Sequence, residues 1–194
     1  MIQYNVSYTK ANRHHLEFKA TFPCQDSNIL HLQLPSWRPG RYELGNFSKN
    51  ILNWRAYSPN GEVLPYSKIT KDLWAVDTKG YPFVHIEYTY YSADLNAGST
   101  YLSDELFYIN PVNCFFYNPE KLEAKYSIKF ELPSTFNVAT GLKSLGENKF
   151  EAINFDDLAD CPMLASATLK KFTYECRAVK FHICIHANAH APEA

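Results

Sequence analysis

Ile2-Gln-Tyr-Asn-Val-Ser-Tyr-Thr9 and His15-Leu-Glu-Phe-Lys-Ala-Thr-Phe22 each alternate apolar with polar residues, on either side of the turn-like Lys10-Ala-Asn-Arg-His14. In a strand successive side chains point to opposite faces, so this alternation gives each run one apolar and one wet face. The two runs and their short connection predict a β-hairpin at the start of the chain.

The pattern continues outward from that hairpin. Ile29 to Leu34, Phe47 to Tyr57, Glu62 to Tyr66, Lys68 to Asp77 and Phe83 to Tyr91 read as strands at short intervals, with Ser58-Pro-Asn-Gly61 as a strong turn. Lys125 to Leu132, Phe136 to Thr140, Lys149 to Ile153, Ala165 to Tyr174 and Val179 to His186 extend the series. One short helix is predicted after Asn154, an N-cap residue with acids in the first turn and Pro162 as its stop. The composition agrees: 15% of the 194 residues are aromatic, with 14 Tyr and 13 Phe, ring types that favour strands. The expected fold is mainly β, an antiparallel β-sandwich or saddle-shaped sheet with one short helix, over a single domain of residues 1–194.

Charge and cysteines exclude several functions. Nineteen basic against twenty acidic residues give a formal charge of −1, too little field to gather phosphates or anionic lipid, so neither nucleic acid nor a membrane is an expected partner. Cys24, Cys114, Cys161, Cys176 and Cys184 are odd in number, widely spaced and free of C-x-x-C pairs, and they read as reduced, core-filling thiols. The start of the chain lacks the basic and apolar regions of a signal peptide, and no apolar run reaches the roughly 18 residues of a membrane helix. The expectation is a cytoplasmic protein.

Signatures of chemistry are few. His182, His186 and His190 recur every fourth residue, as metal ligands on a helix would, but Phe181, Ile183 and Ile185 alternate with them, which is strand behaviour. Residues four apart on one strand face lie about 13 Å apart at roughly 3.3 Å per residue, too far for two nitrogens each about 2.1 Å from one zinc. No His-Glu-x-x-His, phosphate loop, dinucleotide fingerprint or serine nucleophile elbow occurs. No catalytic residue and no metal ligand is assigned within the chain.

Two segments remain as candidate sites. Leu34-Pro-Ser-Trp-Arg-Pro-Gly-Arg-Tyr-Glu-Leu-Gly-Asn-Phe47 combines two prolines that fix φ with two glycines that free it, and makes a rigid corner carrying Trp37, Arg38, Arg41 and Tyr42. Such a corner either plugs a core or presents a binding surface. Ser92 to Pro119 is a long excursion rich in Asn, Ser and Tyr, with Asp94, Asp104 and Glu105 as its acids. Loops of this kind either bind ligands or satisfy their own backbone groups, and Tyr101, Glu105, Asn110 and Asn113 are its candidate binding residues.

Further runs carry a resemblance. Tyr4-Asn-Val-Ser-Tyr-Thr-Lys10 with His14-His15, Leu32 through Phe47, Lys71-Asp-Leu-Trp74, Tyr88 to Leu95, Phe107 to Asn113 and Asp157-Leu-Ala-Asp-Cys-Pro162 together resemble the N-terminal domain of the glycyl aminopeptidase family. These are thermolysin-like zinc metallopeptidases that carry a PDZ domain. The resemblance implies a noncatalytic, β-rich N-terminal domain with no cofactor of its own. Zinc, His-Glu-x-x-His and the PDZ domain are expected downstream, the partners being those domains and a peptide substrate. It implies that the excursion helps hold the substrate's amino end, with Glu105 facing the ammonium and Asn110 and Asn113 the peptide groups. It also makes the corner an interdomain surface, with Arg38 and Arg41 as partners for acids. The alternative is a freestanding sandwich module that binds carbohydrate or protein, using Trp37, Tyr42 and Trp54 as ring platforms.

Overall fold

The computed structural model describes residues 1–24, 27–38, 40–41 and 43–186. The opening hairpin forms as the alternation predicts: β1 (Ile2–Ser7) and β2 (His15–Pro23) pair antiparallel with Tyr4 opposite Ala20. Ala11–Arg13 make one 3-10 turn between them, and His14 closes it at a left-handed φ of 56°. β2 pairs with β7 (Phe83–Tyr91), and β7 with β4 (Ile51–Tyr57). On its other side β1 runs parallel to β10 (Tyr126–Phe130), followed by β13 (Lys149–Ala152) and β12 (Lys143–Gly146). The seven-stranded sheet is ordered β12-β13-β10-β1-β2-β7-β4 and is antiparallel apart from the β1–β10 pair.

Two smaller sheets cover its apolar face. One holds β3 (Ile29–Gln33), β6 (Leu73–Asp77) and β5 (Tyr66–Lys68); the other holds β11 (Asn137–Ala139), β14 (Met163–Ser166), β9 (Phe107–Ile109) and β8 (Tyr101–Leu102). Trp74 of β6 stacks 5.9 Å from Trp54 of β4, while Phe107 of β9 meets Phe130 of β10 at 5.7 Å. The covering sheets therefore sit over opposite ends of the large one, and the mainly β sandwich expected from the sequence is the observed fold. β15 (Leu169–Cys176) and β16 (Val179–His186) form a separate two-stranded ribbon.

The gap between the covering sheets is filled from the excursion. A single helical turn, α1 (Pro111–Cys114), delivers Phe115 and Phe116 into the middle of the core, both fully buried. Phe115 lies 4.7 Å from Tyr4 and 5.3 Å from Phe18, and Phe116 lies 5.0 Å from Tyr88. Burying each such ring contributes about 1.5–3 kcal/mol. The tyrosine hydroxyls then grip the backbone between: Tyr4 Oη donates to the Phe116 carbonyl and accepts from the Phe116 N–H, both at 3.0 Å, and Tyr88 Oη donates to the Cys114 carbonyl at 2.6 Å. Desolvation pushes both hydroxyls well above the usual phenol range, so they stay protonated donors.

Local departures from the sequence reading have local causes. Phe47–Asn50 is a 3-10 turn because the Phe47 ring folds back over Gly45, where any Cβ would meet it at 2.3 Å, and the strand starts at Ile51. The run from Lys68 to Asp77 breaks into β5 and β6 at a turn closed by Ile69 N–H to Leu73 O, 2.8 Å. Glu62 to Tyr66 is no strand of its own: Val63 makes an isolated bridge to Tyr57, and Tyr66 already belongs to β5. β12 carries no apolar alternation; as an edge strand it is held by β13 and by Lys143 Nζ to Glu151 Oε1, 3.1 Å. The predicted helix is α2 (Phe155–Ala159), capped by Asn154 Oδ1 accepting from Asp157 N–H at 2.9 Å.

The cysteine reading is corrected in part. Cys24 and Cys114 are buried, and burial pushes the Cys24 thiol up to about 11. Cys161 and Cys184 are half-buried and Cys176 is exposed, because the ribbon that carries two of them has no covering layer. No helix among the described residues is long and apolar enough to cross a membrane.

Candidate functional site

The corner and the excursion meet. Leu34 is buried and donates its N–H to Asp72 O at 2.8 Å, which ties the corner's entry to β6, and Gly45 N–H to Ser36 O at 2.7 Å closes its base. Gly40 takes a φ of 80°, a left-handed value that explains a glycine at the tip. Ser92 Oγ to His14 O at 2.8 Å ties the excursion to the first hairpin, and it folds on itself through Gly98 N–H to Asn96 Oδ1 at 2.9 Å and Tyr108 Oη to Ala97 O at 3.2 Å.

Between them lies a cleft of about 350 Å³ whose lining includes Arg38, Arg41, Lys49, Asp94, Gly98 and Asn113. Arg38 lies flat on the buried backbone of Gly98: a Cβ on that glycine would fall 2.2 Å from the guanidinium carbon. Among the described residues its side chain makes one hydrogen bond, a long one from Nη1 to Ala97 O at 3.4 Å. Arg41 is already paired with Glu43, 2.5 Å away. Arg38, Lys49 and Asp94 have no ion-pair partner among the described residues. Asn113 is 1% exposed; its Nδ2 donates to Gly98 O at 3.0 Å and contacts Thr100 Oγ1 at 3.4 Å, while its Oδ1 is buried with no partner among the described residues. A buried acceptor left unpaired is uncommon and costly.

The residues singled out from sequence thus fall into three places. Arg38, Arg41 and Asn113 share the cleft. Asn110 is buried beside it at the start of α1, with its backbone N–H on Thr100 Oγ1 at 3.2 Å and no capping bond from its side chain. Glu105 sits at the far turn between β8 and β9, roughly 16 Å along the strand from Asn110 at about 3.3 Å per residue, and Tyr101 is half-buried against His14. Trp37 is 46% exposed and lines a different, apolar groove of about 510 Å³ with Tyr117, Leu122 and Phe155, flanked by Asp156 and Asp160. Tyr42 lies outside the described residues. Trp54 is no ring platform: it is 7% exposed, enclosed by Tyr66, Trp74 and Phe116. Sequence reading missed Gly98 and Lys49, which carry no motif and matter only through what the fold lays against them.

Among the described residues no three His, Cys, Asp or Glu side chains converge to hold a metal ion. His182 bonds Thr173 Oγ1 at 3.1 Å and His186 bonds Ser166 Oγ at 2.9 Å, while His190 lies outside the described residues. The described residues do not fit a zinc centre.

This multi-sheet β fold is similar to that of aminopeptidase N-terminal domains. The chain aligns with the aminopeptidase N family protein from Idiomarina loihiensis at a TM-score of 0.89 and 26% identity, over 98% of this chain and 33% of that one. An M1 zinc metallopeptidase mutant from Deinococcus radiodurans, bound to a Tyr-Ser-Ala substrate, aligns at a TM-score of 0.51 and 10% identity, over 99% of this chain and 49% of that one, a likeness of fold alone. The chain therefore spans about a third and about half the length of these proteins. The family model of the peptidase M61 N-terminal domain matches residues 3–167, and the chain belongs to that family. A search of the curated proteins finds no match.

Proposed function

We propose that this chain is the noncatalytic N-terminal domain of a zinc metallo-aminopeptidase of glycyl aminopeptidase type, supporting a catalytic domain that carries the zinc and, beyond it, a PDZ domain. The observation that carries this reading is the ribbon. Phe172, Tyr174, Val179, Phe181, Ile183 and Ile185 share one of its faces and are each 39% to 55% exposed. An isolated two-stranded ribbon is marginal in water, and a contiguous apolar face marks an interaction surface. The ribbon also lies beyond residue 167, where the N-terminal family match ends, yet within the alignment to a protein three times as long. Its apolar face is the surface on which the catalytic domain packs.

In the same reading Glu105, which has no ion-pair partner among the described residues, meets the free amino group of the peptide substrate. Steady-state kinetics of the full-length enzyme on a glycyl substrate test both parts. Phe181→Asp is expected to abolish activity by undocking the domains, and Glu105→Ala to raise KM about tenfold with little change in kcat. Wild-type activity in Phe181→Asp overturns the docking surface, and unchanged kinetics in Glu105→Ala overturn the substrate contact.

A further inference from the structure

The corner cleft contains charges that its own residues leave unsatisfied. Three cations and two acids line it, Arg38, Arg41, Lys49, Glu43 and Asp94, and one pair, Arg41 with Glu43, neutralises itself. What remains is Arg38 and Lys49 against Asp94, a surplus of one positive charge. Arg38 is the preorganised member: half-buried, laid on Gly98 and in contact with Ala97 O at 3.4 Å, it has no further side-chain hydrogen bond among the described residues. A guanidinium has five donors in a planar fork that matches a carboxylate edge to edge. Holding that fork in a partly desolvated cleft with one long hydrogen bond leaves donors that an acceptor from outside would satisfy.

We propose that the cleft between the corner and the excursion is a carboxylate-binding site in which Arg38, positioned by Gly98, is the principal donor. The surplus of one charge fits a monoanion, and Asp94 disfavours a phosphate dianion. Asn113 lies beneath the same floor, its Nδ2 donating to the Gly98 carbonyl at 3.0 Å, and so braces the glycine on which Arg38 rests. A carboxylate flanked by an N–H is the last unit of a peptide. It is equally an acidic side chain on a neighbouring protein surface, and the two sources share the chemistry that Arg38 reads. The site uses only residues of this chain, so it stands or falls independently of the ribbon's role.

Nuclear magnetic resonance titration of the 194-residue chain tests it, with four probes: N-acetylglycine, N-acetylglycine amide, a blocked acetyl-Ala-Asp-Ala-amide peptide and inorganic phosphate. At least one of the two carboxylates is expected to shift the Gly98 amide and the Arg38 Nε–H resonance saturably in the millimolar range, with no response to the uncharged amide. N-acetylglycine alone identifies a peptide terminus as the source, and the blocked peptide alone an acidic side chain. Arg38→Ala is expected to weaken binding at least tenfold. Gly98→Ala gives the second test, because it keeps every charge, needs no left-handed backbone and displaces only the flexible end of Arg38, yet is expected to weaken binding about as much. The proposal fails if neither carboxylate shifts these resonances, if the amide or phosphate binds as well, or if folded Gly98→Ala binds like the parent.

Discussion

In β1 the apolar positions Ile2, Tyr4 and Val6 are at most 3% exposed, whereas in β16 Val179, Phe181, Ile183 and Ile185, written in the same period-two pattern, are 42% to 55% exposed. β1 is bonded on both sides, by β2 and β10, and β16 on one side, by β15, but a missing neighbour in the plane of a sheet does not by itself uncover a face. The difference is what lies on top. β1 is covered by Phe115 of the excursion and by its neighbours' rings, while the described residues provide no layer for the ribbon's apolar face. Alternation specifies which face of a strand is apolar; the cover comes from sequence far away.

The largest test of this contrast is Phe116→Ala. Phe116 is fully buried where Trp54, Trp74 and Tyr88 converge, so truncation leaves a cavity among rigid rings. Urea unfolding is expected to show a loss of about 3–5 kcal/mol. A loss below about 1 kcal/mol would mean that the excursion does not seal the core as the structure has it.

A smaller effect is expected from Tyr4→Phe, which keeps the ring and removes only the hydroxyl that bonds the Phe116 N–H and carbonyl. A buried donor and acceptor then lose the partner that the described residues give them, at a cost of about 1–3 kcal/mol in the same urea measurement. Amide hydrogen exchange at Phe116 should accelerate along with it. Unchanged exchange would show that the backbone of 114–116 is held by ring packing and not by the tyrosine hydroxyls.

Much of this was legible in the sequence, for reasons that differ by residue. The hairpin of Ile2 to Phe22 and the strand of Phe83 to Tyr91 were readable because each is half-buried and therefore alternates. The cap at Asn154 was readable because it is local. The β12 edge strand was not, since a strand bonded on one side with a polar sequence leaves no periodic trace. Of the candidate site, the rigid corner and its arginines were evident from prolines and glycines, and the excursion from its composition. Their convergence was not, because the contact of Arg38 with Gly98 joins residues sixty positions apart through a missing side chain, which no pattern in either segment records.

The least effect is expected where the sequence pattern looks strongest. Phe181→Ser in the ribbon removes a ring that stacks on Tyr174 at 4.9 Å but is 42% exposed. In the 194-residue chain the change should cost under about 1 kcal/mol, because only a cross-strand pair is lost and no cavity forms. Sedimentation velocity of the parent chain sharpens the reading. If Phe181→Ser instead costs about 3 kcal/mol and converts a dimer to a monomer, a second copy of the chain covers the ribbon in solution, and β16 joins β1 as a buried strand whose cover comes from another molecule. If it costs little and the parent is monomeric, the face is open in this chain, and the apolar alternation of β16 is matched to a surface that these 194 residues do not contain.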